Sequence, residues 1–116
     1  AHYNDEIYEL DREETLKKVL DAGVKNLICA VYSVESSRQA IKIANEHRYI
    51  SATAGISPND IPTFENENTD VKEFFFEEVL NEQLKEIKKL AKNDKVVAIG
   101  EIGLDYYWNK ENKQNQ

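Results

Sequence analysis

Three short apolar runs, rich in β-branched residues, recur along this chain: "VKNLICAVY" at 24–32, "YISATAGI" at 49–56 and "VVAIG" at 96–100. Between them lie stretches whose apolar residues recur at spacings of three and four, the period of a helix. Strands joined by helices pair in parallel, through right-handed crossovers. The first run is nearly continuous in its apolar character, as expected of a strand covered on both faces. The fold class is therefore α/β. Two architectures remain: a small open sheet complete in itself, or the first several βα units of a (β/α)8 TIM-type barrel. A closed barrel takes roughly 250 residues, and this chain has 116.

The helices carry their own signals. "DREETLKKVLDAG" at 11–23 offers Asp11 as cap, Glu14 at the capping-box position and Gly23 as stop. "SVESSRQAIKIANEH" at 33–47 offers Ser33 as cap and Ala40, Ile41, Ile43 and Ala44 as apolar side. "SPNDIPTFENENTD" at 57–70 holds both prolines, Pro58 and Pro62, and reads as loop. A longer helix is expected over 74–92, with Phe76, Val79, Leu80, Leu84, Ile87 and Leu90 on one face. Acids dominate before and early in it, and Lys85, Lys88, Lys89 and Lys92 gather near its end, as the helix dipole favours. Its plain meaning is a solvated helix face.

A net charge of −7 opposes binding of a phosphate backbone by a basic surface. It leaves open an enzyme that acts on phosphodiesters through bound cations, which invert the local sign. No apolar run approaches the roughly 20 residues of a membrane span, and no signal-peptide pattern is present. The single cysteine, Cys29, lies in an apolar run and reads as a buried thiol. A reducing, cytoplasmic location fits. The chain has no methionine and ends in the polar "NKENKQNQ", so we read it as part of a longer protein.

In parallel α/β folds, sites form at the carboxyl ends of strands. Those ends are Tyr32 and Ser33, then residues 55–59, then residues 101–105, with His2 if a strand ends just before it. Glu101 stands out. A carboxylate beside "VVAIG" is costly to desolvate unless it is paired or holds a metal; a salt bridge to a nearby Lys or Arg and a metal site explain it equally. Asp105, four residues on, would point to the same side in an extended strand. Gly100 and Gly103 permit a bulge or close backbone approach. His47 ends a helix and reads as a solvated or dipole-facing imidazole. Tyr106, Tyr107 and Trp108 could stack on a nucleobase or pack beneath the following loop. No glycine-rich phosphate loop, Cys-x-x-Cys pair or Ser-His-Asp set is visible.

The "GEIGLDYYW" segment resembles the signature of the TatD family of metal-dependent deoxyribonucleases. "AHYND" is similar to the tail of that family's His-x-His strand, "VLDAGVKNLICAVYSVESSRQAIKIANEH" to its next segment, and "ATAGISPNDI" to its Gly-Ile-His-Pro-His segment. The likeness runs over essentially all 116 residues, in order. It implies a (β/α)8 barrel, with residues 1–116 as the amino-terminal part of one hydrolase domain. It implies His2 as a metal ligand and Glu101 as a catalytic, metal-bridging carboxylate. Asp105 matches an acid of the signature and, with Ser57 and Asn59, is a candidate substrate or phosphate contact. Ser57 and Asn59 stand where the family has histidines, and can still donate hydrogen bonds to phosphate.

The resemblance also implies a two-metal phosphodiesterase using Mg, Mn or Zn. Its substrate would be DNA, with no membrane and no obligate protein partner. Two other readings stand beside it: hydrolysis of another ester or amide on the same barrel, or an inactive piece lacking the remaining ligands. A half-barrel would expose sheet edges and apolar faces.

Overall fold

The computed structural model describes residues 1–61, 69–108, 113 and 116, and of residues 69–74 the backbone. Pro62, half of the expected loop before the long helix and most of the polar tail lie outside these residues. Helices α1 (Arg12–Asp21), α2 (Val34–Glu46) and α3 (Thr69–Leu90) alternate with strands β1 (Leu27–Cys29), β2 (Ile50–Ala54) and β3 (Val96–Ile99). The strands form one parallel sheet in the order β1-β2-β3. The α/β expectation and the parallel pairing hold. The α3 start lies five residues earlier than the apolar spacing indicates.

The segment before α1 continues the sheet outward from β1. The Ala1 amino group donates to the Ile28 carbonyl at 3.4 Å, and the Ala30 N–H donates to the Ala1 carbonyl at 2.8 Å. That alternation is the bonding pattern of a parallel neighbour. Side chains then lock the segment. Arg12 donates to the carbonyls of Tyr3 (2.7 Å) and Asp5 (3.3 Å). The Cys29 thiol donates to Asn4 Oδ1 at 3.0 Å. Cys29 is fully buried, and burial pushes its thiol pKa up, so it is an inert core thiol.

One sheet face is covered. Leu16 of α1, Ala40, Ile41, Ile43 and Ala44 of α2, and Cys29, Val31, Ile50 and Ala52 form the core, with Leu90 and Val96 packed at its margin. Small alanines on both β2 and α2 let the helix lie close on the sheet. Coverage on both faces is not observed. Ile28, Val97 and Ile99 are each more than half exposed. Among the described residues β3 pairs with β2 alone, and the helices that pack on the sheet lie on one side of it. Nor is the α3 stripe fully covered: Ile87 is buried, but Leu84 is exposed.

The two cap expectations part company. Ser33 caps α2 fully, its hydroxyl accepting from the Ser36 N–H at 3.1 Å while Ser36 Oγ accepts from the Ser33 N–H at 2.8 Å. Asp11 makes no side-chain cap bond, since its backbone has turned away from the extended cap geometry (φ −130°, ψ 14°). Glu14 pairs with Lys18 at 2.8 Å rather than closing a capping box. Gly23 ends the turn after α1 at φ +95°, a left-handed conformation suited to glycine.

At the foot of the sheet, Lys95 Nζ donates to the carbonyls of His47 (2.9 Å) and Ile50 (3.2 Å), tying β3 to the α2–β2 turn. His47 bonds the Ile43 carbonyl through Nδ1 at 2.9 Å and Glu13 through Nε2 at 3.1 Å. It faces the helix dipole as expected, but it is not solvated: its side chain is 13% exposed. Both ring partners are acceptors, so only the imidazolium satisfies them. Burial, the largest influence, disfavours that charge. The Ile43 carbonyl, the Glu13 hydrogen bond and the charges of Glu13 and Glu46 outweigh it, and the pKa rises.

Ser33→Ala is expected to cost about 1 kcal/mol of unfolding free energy, and Asp11→Ala to stay within about 0.5 kcal/mol; urea titrations of the two variants check the contrast. Because the folded-state pKa of His47 is raised, its protonated ring stabilises the fold below the ordinary value of 6.5, and this is lost as pH rises through the folded value. Urea midpoints measured across about pH 5 to 8 should fall with pH in that window, and Glu13→Gln should flatten the fall.

Candidate functional site

The carboxyl ends of the strands are drawn together by the backbone that comes after β3. The Gly100 N–H donates to the Ala54 carbonyl at 3.0 Å, and the Glu101 N–H donates to the Val31 carbonyl at 2.8 Å. The first bond is to the end of β2 and the second to the segment leaving β1. The chain therefore crosses the end of the middle strand. Gly55 lies beneath the crossing. A β-carbon there would stand 2.5 Å from the Gly100 carbonyl carbon and 2.7 Å from the Glu101 oxygen, distances no side chain tolerates. Gly55 is needed for close approach, a role the sequence signalled only as a strand end.

This crossing brings Glu101 to His2. His2 Nε2 and Glu101 Oε1 are 3.8 Å apart, with both side chains about half exposed. His2 Nδ1 lies 3.0 Å from the Ala30 carbonyl and so donates to it, which leaves Nε2 as the ring nitrogen turned toward the carboxylate. Among the described residues Glu101 is half exposed and not a buried charge, contrary to the desolvation premise. Among the described residues the basic side chain that faces its carboxylate is His2, not a lysine or arginine.

Around the pair the field is acidic. Partial desolvation raises the Asp60 pKa, the Ser57 hydroxyl opposes this, and the charge of Glu101 adds to it. Tyr32, whose ring centroid is 6.3 Å from that of His2, has its pKa raised by burial first and then by Asp5, Asp60 and Glu6. An anion approaching these groups is repelled unless a cation intervenes. Asp60 went unnoticed in the sequence, although an acid four residues past Ile56 at a strand end was a usable signal.

Asn59 and Asp105 form a second pair. Asn59 Nδ2 donates to Asp105 Oδ2 at 3.1 Å, and the Tyr107 N–H donates to Asp105 Oδ1 at 2.9 Å. These two bonds, the Tyr107 amide first, hold the Asp105 carboxyl below its ordinary range. The strand ends at Ile99, so the alternation expected to align Asp105 with Glu101 does not apply. Ser57 is buried, its N–H on the Tyr32 carbonyl at 2.8 Å and its hydroxyl accepting from the Asn59 N–H at 3.2 Å. Ser57, Asn59 and Asp105 thus brace the loops beside His2 and Glu101.

The donor set of the first pair suits a divalent cation. An imidazole nitrogen with its other nitrogen bonded to a backbone carbonyl, facing a carboxylate, is a common half-site. Their separation is shorter than two metal–ligand bonds of about 2.1 Å each, so one ion can touch both. Among the described residues no group of three His, Cys, Asp or Glu could hold an ion, and His2 and Glu101 would be two ligands of a larger set. No helix among the described residues is long and apolar enough to cross a membrane.

A family model described as TatD related DNase matches residues 1–116. "Uncharacterized metal-dependent hydrolase YabD" of Bacillus subtilis is 33% identical over 116 residues, covering 100% of this chain and 40% of that protein. "3'-5' ssDNA/RNA exonuclease TatD" of Dickeya dadantii is 32% identical over 110 residues, covering 94% of this chain and 36% of that protein. An "Uncharacterized metal-dependent hydrolase" of Buchnera aphidicola is 34% identical over 104 residues. The chain thus spans about two fifths or less of the length of these relatives.

Gly55→Ala is expected to displace the Gly100–Glu101 backbone and cost about 1–3 kcal/mol, the usual range for forced overpacking. A denaturant titration reads the cost, and the shift of the His2 ring protons by NMR reads the loss of Glu101 from its side.

Proposed function

The chain belongs to the TatD related DNase family, whose fold is a TIM barrel, and from that premise we propose that it forms the amino-terminal part of a metal-dependent hydrolase of nucleic-acid phosphodiesters. The observation that carries this reading is the convergence of His2 and Glu101, from opposite ends of the described chain, to 3.8 Å. The names of relatives, a 3'-5' exonuclease of single-stranded DNA and RNA and metal-dependent hydrolases, support the same class. Residues 1–116 would be the first βα units of one barrel domain, with further ligands supplied by other parts of the protein.

In this reading His2 ligates through Nε2, its tautomer set by the bond from Nδ1 to the Ala30 carbonyl. Glu101 supplies a carboxylate able to bridge two ions, held in place through its own N–H on Val31. Divalent cations bound there, Mg, Mn or Zn, would lower the pKa of water and offset charge on phosphoryl oxygens. The acidic surroundings of Asp5, Asp60 and Glu101 favour the cation and make the bare site repel phosphate. An overall negative chain can thus act on a polyanion only when metal is bound. Asn59, Ser57 and Asp105 keep the neighbouring loops in register. The buried Cys29 thiol fits a reducing compartment, and we assign the cytoplasm.

One observation favours a second reading, hydrolysis of another ester or amide. Ser57 and Asn59, at the positions of the Gly-Ile-His-Pro-His histidines, spend polar groups on internal bonds. A panel of DNA, RNA, small phosphoesters and acyl esters separates the two.

Removing a group that merely orients a metal ligand costs about 10- to 100-fold in activity, and Glu101→Ala, which removes a ligand itself, should cost the full-length protein at least the upper end of that range. Metal-dependent hydrolysis of a single-stranded oligonucleotide is the measurement. Equal rates for wild type and variant would sink the assignment.

A further inference from the structure

Just beyond Glu101, Tyr107 and Trp108 each stand with 76% of their surface exposed. Large aromatic side chains seldom remain so open without a partner, here a ligand or the remainder of the protein. Their rings meet edge to face, with centroids 4.8 Å apart and planes at 88°. Two perpendicular rings form a corner, and a flat molecule can lie on the face of one while its rim meets the other. The corner is anchored, because the Tyr107 N–H bonds Asp105 Oδ1 and Asp105 Oδ2 accepts from Asn59 on the loop after β2. A cation stands beside it: Lys113 Nζ lies 4.8 Å from the centroid of Tyr106, itself 41% exposed. An aromatic face, a lysine and, shortly before them in the sequence, the candidate metal ligand Glu101 are the three elements a single nucleic-acid strand engages: base, backbone phosphate and scissile phosphodiester.

We propose that Tyr107 and Trp108 form a stacking platform for one unpaired nucleobase of the substrate, with Lys113 on an adjacent phosphate. This rests on the phosphodiesterase reading and deepens it. The platform selects for single strands, because a base inside a duplex has both faces covered by its neighbours. It is tolerant of base identity, since every base offers a π-face. Affinity would then come from stacking and one cation, not from a broad basic surface, in keeping with a net charge of −7.

The test uses full-length protein and phosphorothioate oligonucleotides, which turn over slowly. Three probes are compared: a single strand, the same length of abasic deoxyribose-phosphate, and a duplex. The wild-type minus Trp108→Phe difference spectrum isolates the emission of Trp108. It should be that of a solvent-exposed indole, quenched by the base-bearing single strand and not by the abasic one. Trp108→Ala should weaken binding of the base-bearing strand roughly tenfold or more, Tyr107→Ala should weaken it too, and Trp108→Phe should retain most of it. A buried emission spectrum would overturn the proposal, since the rings would then pack against other parts of the protein. So would equal losses of affinity for base-bearing and abasic strands, or tighter binding of the duplex. Failure here stays distinct from failure of the enzymatic reading: in the first case hydrolysis still depends on Glu101 while Trp108→Ala binds normally, and in the second hydrolysis is indifferent to Glu101.

Discussion

One peptide unit governs the geometry of this molecule. Adjacent strands lie about 4.8 Å apart, so β3 is roughly 10 Å from β1, and the segment bearing His2 is one strand further. A carboxylate projecting straight from the end of β3 would miss it. The Gly100–Glu101 backbone closes the gap by stepping across β2 to bond the Val31 carbonyl. That step requires residue 55 to have no side chain. Once it is made, Glu101 faces His2, its charge perturbs Asp60, and the chain beyond turns back so that Asp105 can bond Asn59.

The core explains why the crossing is rigid at one end and open at the other. Beneath it, α2 packs on β2 through buried alanines and isoleucines, and the buried Ser37 hydroxyl reaches the Gly55 N–H at 3.3 Å. Beside it, Asn4 and Arg12 pin the residues that carry His2. Above it, Ile102 and Leu104 are exposed, as are the outward residues of β3. The described residues thus give the site a packed floor and a half-exposed carboxylate.

Much of this was legible beforehand. The alternation of apolar runs with helical spacing required parallel strands, and parallel strands put sites at their carboxyl ends; that logic, together with a family resemblance, singles out His2 and Glu101, which the structure brings to 3.8 Å. Ser33 and Gly23 worked because their signals are local. Asp11 failed because a cap depends on backbone angles that composition does not specify. The Asn59–Asp105 bond joins residues 46 positions apart, and the demand on Gly55 arises from a segment just as distant. Neither leaves a pattern in a short window.

The crossing also couples the site to the end of β3. Strand ends open through sub-global fluctuations far cheaper than full unfolding. Because Glu101 is held by the same hydrogen bonds that clasp the end of β3, detachment of that strand and separation of Glu101 from His2 are a single event. The amide protons of Gly100 and Glu101 are therefore natural reporters of it in hydrogen exchange. Any ligand that bridges residues 2 and 101 would slow their exchange by the free energy with which it binds the closed form.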